Sequence, residues 1–155
     1  MCGPSIHQTK NMRELKYEKL IALREKMLEV TYTNAFNNYR GIEVVELNEN
    51  YCKTRVKYSD HVINPYGSFH GGVLSALADA TAGTAACMCG YYVTTVSSTL
   101  NYLLPAINTE YISCEAMKLK TGKHLSVFDI RITDDKGHLL DSGEYIFFIG
   151  KQKVV

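Results

Sequence analysis

The chain lacks any strong imbalance of charge: 17 basic residues stand against 16 acidic ones, for a net charge of +1. That balance argues against electrostatic binding of nucleic acid. No Lys/Arg cluster is dense enough to make a polybasic membrane patch. Met1 to Lys10 lacks the apolar core of a secretory signal. The five cysteines (Cys2, Cys52, Cys87, Cys89 and Cys114) are odd in number, so they read as reduced thiols of a cytoplasmic protein. Cys87-Met-Cys89 lacks a second ligand pair and is expected to hold no metal. P-loop, dinucleotide-fold, H-E-x-x-H and G-x-S-x-G signatures are all missing.

Charge is also missing locally. From His61 through Thr109 there is no Lys, Arg or Glu, and the single Asp is Asp79. Within that gap, Gly71 to Cys89 approaches the length of a membrane span at 19 residues. It also holds Asp79, three Gly, two Thr and one Ser, which makes insertion costly, so it reads as a buried helix.

What is present divides the chain into a helical extension (1–40) and one α+β domain (41–155), within the size expected of a single core. Asn11 to Val30 is helical in period: Met12, Leu15, Leu20, Leu23, Met27 and Val30 share a stripe, and nine charged residues cover the rest. Thr31 to Arg40 adds a short turn of helix or a loop. From Gly41 the period becomes two. IEVVELN and YCKTRVKY read as strands, the second with Lys53, Arg55 and Lys57 on one face and Cys52, Thr54 and Val56 on the other. Beyond the apolar helix, strands are expected at Tyr92–Leu104, Tyr111–Lys120, His124–Thr133 and Leu139–Ile149. They are broken at Pro105, Thr121-Gly122 and Asp134 to Gly137, and their order suggests a four-strand antiparallel meander. Such a sheet needs an apolar partner, and the helix at 71–89 is the one on offer. The expected architecture is a sheet wrapped around that helix.

On a helical wheel, steps of three and four from Asp79 reach Gly72, Ser75, Ala76, Ala82, Gly83 and Ala86, all small, while Val73, Leu74, Leu77, Thr81, Thr84 and Met88 lie opposite. The bulky side is expected to anchor in the sheet and the small side to admit a close neighbour. A solitary Asp there could be satisfied by Ser and backbone donors. Local donors are few and an unpaired buried carboxylate is costly, so Asp79 reads as a working base in contact with water. His70-Gly71-Gly72 falls at the helix start, where free N–H groups and the positive end of the dipole suit an oxyanion, with His70 otherwise a polar cap.

The pattern N-x-x-G-x-x-H-G-G from Asn64 to Gly72, followed by the L-x-D helix of Leu77 to Asp79, resembles the hotdog-fold acyl-CoA thioesterases of the phenylacetate-pathway (PaaI) type. The strand Ser98 to Pro105 is similar to the one that follows the helix in that family. The resemblance implies a homodimer or dimer of dimers that hydrolyses acyl-CoA without metal or bound cofactor, coenzyme A entering as part of the substrate. Asn64 and the Gly71 N–H would polarise the thioester carbonyl, Asp79 would activate water, and His70 would lie near the leaving thiolate. A hydroxyl on the next strand would assist Asp79, with Thr95 and Ser97 both open. Gly72 and Tyr102 are further candidates for substrate contact, and Tyr66 and Phe69 for an acyl pocket. Lys123 and His124, with Lys118 and Lys120, could meet the phosphates of coenzyme A. The rival functions are a hydratase or dehydratase of the same fold and a non-catalytic acyl-CoA sensor.

Overall fold

A computed structural model describes the backbone of residues 6–155 and the side chains of residues 13–155, so Cys2 and the Met12 side chain lie outside the described residues. Nine elements follow one another: α1 (Ile6–Thr33), α2 (Ala35–Arg40), β1 (Glu43–Asn48), β2 (Tyr51–Lys57), α3 (Gly71–Cys87), β3 (Tyr91–Tyr102), β4 (Tyr111–Thr121), β5 (Leu125–Asp134) and β6 (Leu139–Lys153). The six strands form one antiparallel sheet in the order β1-β2-β4-β5-β6-β3, with α3 packed on its inner face.

That order corrects the expected four-strand meander. Only β4, β5 and β6 run as one; β3 pairs with β6, and the free side of β4 is taken by β2. A hairpin from β3 to β4 would need a tight turn, but the chain crosses instead. Leu103 and Leu104 donate N–H groups to the Leu140 carbonyl at 2.8 and 3.1 Å, and Ala106 accepts from the Phe69 N–H at 3.0 Å. This crossing carries the chain past the start of α3 and leaves β3, twelve residues long, as an edge strand.

The helix is buried on the side the wheel assigned to the sheet: Val73, Leu74, Leu77, Thr81 and Thr84 are all buried. Side chains such as Leu77 each contribute about 1.5–3 kcal/mol on full burial. Opposite them, Thr54, Cys114 and Ala116 keep the inner face shallow, letting the helix backbone approach. The buried Thr81 hydroxyl donates to the Leu77 carbonyl at 2.6 Å, which leaves Thr54 to donate to Thr81 Oγ1 at 2.5 Å.

The amphipathic reading of α1 holds over its second half only. Leu23 and Met27 are buried, with Leu20 and Val30 packed beside them, while Leu15 remains 59% exposed. Arg24 Nε donates to the Leu47 carbonyl at 3.0 Å and ties this half to β1. Asn34 caps α2 by accepting from the Asn37 N–H, and Gly41, at φ 67°, closes it in the left-handed conformation that glycine adopts without strain. None of the helices among the described residues is long and apolar enough to cross a membrane.

Candidate active site

The loop entering α3 is organised by Asn64. Its Oδ1 accepts from the N–H groups of Tyr66 (2.9 Å) and Ser68 (3.2 Å), and its Nδ2 donates to Ser68 Oγ at 2.8 Å. An amide nitrogen carries two hydrogens, so the second remains for a ligand. His70 is the N-cap of α3, with Nδ1 accepting from the Gly72 N–H at 2.9 Å. An acceptor Nδ1 must carry a lone pair, so the neutral ring holds its proton on Nε2, which faces outward as a donor. With the Gly72 N–H occupied by this cap, the first-turn amide left without a partner among the described residues is that of Gly71. It is the oxyanion donor such a helix start can offer. Tyr102 lies against the same turn, its hydroxyl donating to the Gly71 carbonyl at 3.2 Å.

Asp79 is exposed on the open side of α3 and accepts a hydrogen bond from Thr95 Oγ1 at 2.7 Å. This separates Thr95 from Ser97. A bulge between them places Thr95 opposite the inward Phe147 and Ser97 opposite Ile146 on the other face of the sheet. A sequence without an explicit bulge signal gives both hydroxyls the same parity. The bond leaves Oδ2 of Asp79 free to accept from water. Beneath them, Tyr145 donates to the Ser75 carbonyl at 3.3 Å, and burial raises its pKa above the ordinary phenol value.

Asp79 and Thr95 sit on the wall of a cavity of about 440 Å³. Its floor is Gly83, Cys87 and Phe147, and its outer wall is Met27, Val30 and Phe36 from the N-terminal helices. The sequence reading did not name these as wall residues; of the aromatics it did name, Phe69 and Tyr102 line a different hollow. Phe69 is a buried residue, edge-on to Tyr58 at 5.9 Å, and with Tyr102 it lines this separate 260 Å³ hollow by Gly71, while Tyr66 is 90% exposed. In the sequence Met27 and Val30 stand out only as part of the apolar stripe of α1. Lys123 and His124 stand exposed on the β4–β5 turn. The register Thr95–Phe147–Ser126 puts that turn two strands from Thr95, roughly 10 Å across the sheet. They are not brought to Asp79 within one chain.

Among the described residues no group of three or more His, Cys, Asp or Glu could hold a metal ion. Cys52, Cys87 and Cys114 are buried free thiols, and burial pushes Cys87 to about 11 and Cys114 to about 12, values that keep them protonated.

A family model described as thioesterase superfamily matches residues 66–140, the stretch from the Asn64 turn through α3 to β6. Over that stretch, just under half of its length, the chain is similar to the thioesterase superfamily. Among its relatives, the acyl-coenzyme A thioesterase PaaI of Escherichia coli is 25% identical over 96 residues, covering 62% of this chain and 69% of that protein. The structure of E. coli PaaI, a protein of the phenylacetic acid degradation operon, superposes with a TM-score of 0.80 at 20% identity, over 86% of this chain and 98% of that one. A hypothetical thioesterase from Streptococcus pneumoniae, solved with coenzyme A, gives a TM-score of 0.74 at 21% identity, over 81% and 98% of the two chains. The shared fold is the hotdog, a helix wrapped by an antiparallel sheet.

Proposed function

We propose that this chain is an acyl-CoA thioesterase of the superfamily it resembles and that its water-activating group is Asp79. The observation that carries the reading is the 2.7 Å bond from Thr95 to Asp79 on the wall of an open cavity. That bond fixes the carboxylate and leaves one oxygen for water. In the proposed step, water attacks the thioester carbon as its proton passes to Asp79. The oxyanion is held by the Gly71 N–H and the spare hydrogen of Asn64 Nδ2. Collapse breaks the C–S bond, and the proton returns to the thiolate, giving free acid and coenzyme A. His70, with Nε2–H facing outward, is placed to donate to the leaving sulfur.

One chain cannot bring these groups together. Gly71 and Asp79 are eight residues apart on α3, ~12 Å along the axis, while hydrogen-bond reach is ~3 Å. A second copy supplies the missing half. The unpaired edge of β3 offers a row of backbone donors and acceptors, and pairing two such edges about a two-fold axis removes both. It would set one chain's helix start against its partner's Asp79, giving two equivalent composite sites. Coenzyme A phosphates then have Lys123 and His124 as candidate cations.

The test follows free thiol release from a panel of acyl-CoA esters, with Asp79→Asn beside the parent. Hydrolysis by the parent and a fall of at least ~10² in kcat for the variant, with binding retained, are expected of general-base chemistry. A parent that binds acyl-CoA without releasing thiol is a sensor, and the reading fails.

A further inference from the structure

Resting on that reading, we infer that the 440 Å³ cavity beside Asp79 is the acyl pocket and that it selects an apolar, uncharged acyl group of medium length. The position of Asp79 on its wall decides what enters: a thioester carbonyl in reach of a water on Asp79 Oδ2 has one of its two substituents directed into the cavity. That substituent is the acyl group, because coenzyme A is too large and too charged for a cavity of this size whose wall contains no Lys or Arg.

The polarity of the lining supports the same choice. Its three threonine hydroxyls are already used: Thr31 donates to the Met27 carbonyl at 2.8 Å, Thr84 to the Ala80 carbonyl at 2.7 Å, and Thr95 to Asp79. Asn34 Oδ1 is spent on capping α2. What remains for a ligand is mostly aliphatic and aromatic surface (Met27, Val30, Phe36, Val93 and Phe147), with the Asn37 amide and the Tyr92 hydroxyl as its uncharged polar groups. The single charge on the wall is the Asp79 carboxylate, which repels a second carboxylate, so malonyl- and succinyl-type acyl groups are rejected. At about 30 Å³ per water-sized group, the space accommodates roughly 15 heavy atoms, well beyond acetyl and short of palmitoyl.

The outer wall is built by α1 and α2, through Met27, Val30 and Phe36. The N-terminal helices are therefore part of the specificity apparatus. The floor includes Gly83, where an added Cβ would meet only Phe147 Cε1, at an ordinary 3.7 Å. A side chain there occupies the pocket without backbone strain, and replacing a mid-helix glycine favours the helix. Gly83 thus sets the depth of the pocket.

The experiment measures kcat/KM of the full chain on acetyl-, butyryl-, octanoyl-, palmitoyl- and succinyl-CoA, for the parent, Gly83→Leu and the milder Gly83→Ala, each checked by circular dichroism. The parent is expected to favour octanoyl over acetyl and over palmitoyl by tenfold or more, and butyryl over succinyl by at least as much. Gly83→Leu should lower the octanoyl-to-acetyl ratio at least tenfold, with Gly83→Ala between. An unchanged ratio in folded Gly83→Leu, or succinyl-CoA turned over as well as butyryl-CoA, overturns the pocket assignment while leaving the thioesterase reading in place. Absence of turnover on every ester removes both.

Discussion

Asp141 on β6 is fully buried, and neither of its carboxylate oxygens has a hydrogen-bond partner among the described residues. Its strand neighbours are Tyr102 and Ile132, and Cys114 lies close enough to feel its charge. Burial disfavours the ionised form and raises the carboxyl pKa from 3.8 to about 6. The sign follows from linkage. The folded state holds this proton more tightly than the unfolded state, so the favourable contribution is full below about pH 4 and is lost as pH rises through about 6. At 1.36 kcal/mol per unit, a shift of this size corresponds to about 3 kcal/mol lost by pH 8. Asp141→Asn keeps the shape of the protonated acid and cannot ionise. The variant should match the parent within about 1 kcal/mol at pH 4 and exceed it by 2–3 kcal/mol at pH 8, the gap opening between pH 4 and 7. The assay is urea unfolding followed by far-UV circular dichroism at equal protein concentrations, with the variant-minus-parent difference plotted against pH. Taking that difference cancels other titrations. One is Asp135, held below the usual carboxylate range by the Glu110 N–H and the Thr109 hydroxyl, which contributes in the opposite direction. A difference that stays flat from pH 4 to 8 would refute the view of Asp141 as an unpartnered buried acid.

Three further outcomes follow from the same geometry. Thr95→Val removes the donor to Asp79 at similar volume and should lower kcat about 10-fold or more with little change in KM, whereas Ser97→Ala, on the other face of the bulge, should leave kcat within about twofold of the parent; equal effects would remove Thr95 from the site. Asn64→Ala and Asp79→Asn, each nearly inactive alone, should recover roughly a quarter of parent activity when co-refolded one to one, since half the dimers are mixed and each mixed dimer has one intact site. Native mass spectrometry showing mixed dimers without recovered activity would sink the shared site. A Cβ at Gly143 would collide with the Thr99 carbonyl oxygen and come within 3.0 Å of Leu100 Cα, so Gly143→Ala should part β3 from β6. It should cost 1–3 kcal/mol or more in urea unfolding, and a neutral result would contradict that close approach.

Much of the fold was legible because periodicity reports which face of an element is buried. The alternation of Lys53, Arg55 and Lys57 with Cys52, Thr54 and Val56 survives intact in β2, and the bulky stripe of α3 faces the sheet as the wheel implied. Periodicity does not report partners. Nothing in Tyr91 to Tyr102 distinguishes pairing with β4 from pairing with β6, because either satisfies the same alternation. The stripe of α1 likewise marks a face without naming what it covers, so Met27 and Val30 gave no hint that they wall a cavity by Asp79.

The two lone carboxylates show where composition misleads. Asp79 drew notice because its surroundings in sequence are apolar, and that suggested burial and a shortage of donors. In the folded chain it is exposed and holds a donor, Thr95, sixteen residues away on a strand no local count could reach. Asp141 drew none, since it lies in LLDSGEYIFF among polar and charged residues that suggest solvent. Yet it shares the inward parity of Tyr145 and Phe147, and that alternation takes it into the core with no partner. For a strand residue, parity with its bulky neighbours decides exposure. For a helix residue, the decisive quantity is angular distance from the bulky stripe, which places Asp79 on the open side. Read by geometry, the exposed and partnered carboxylate has the properties of a base that meets water, and the buried one those of an acid that alters stability with pH.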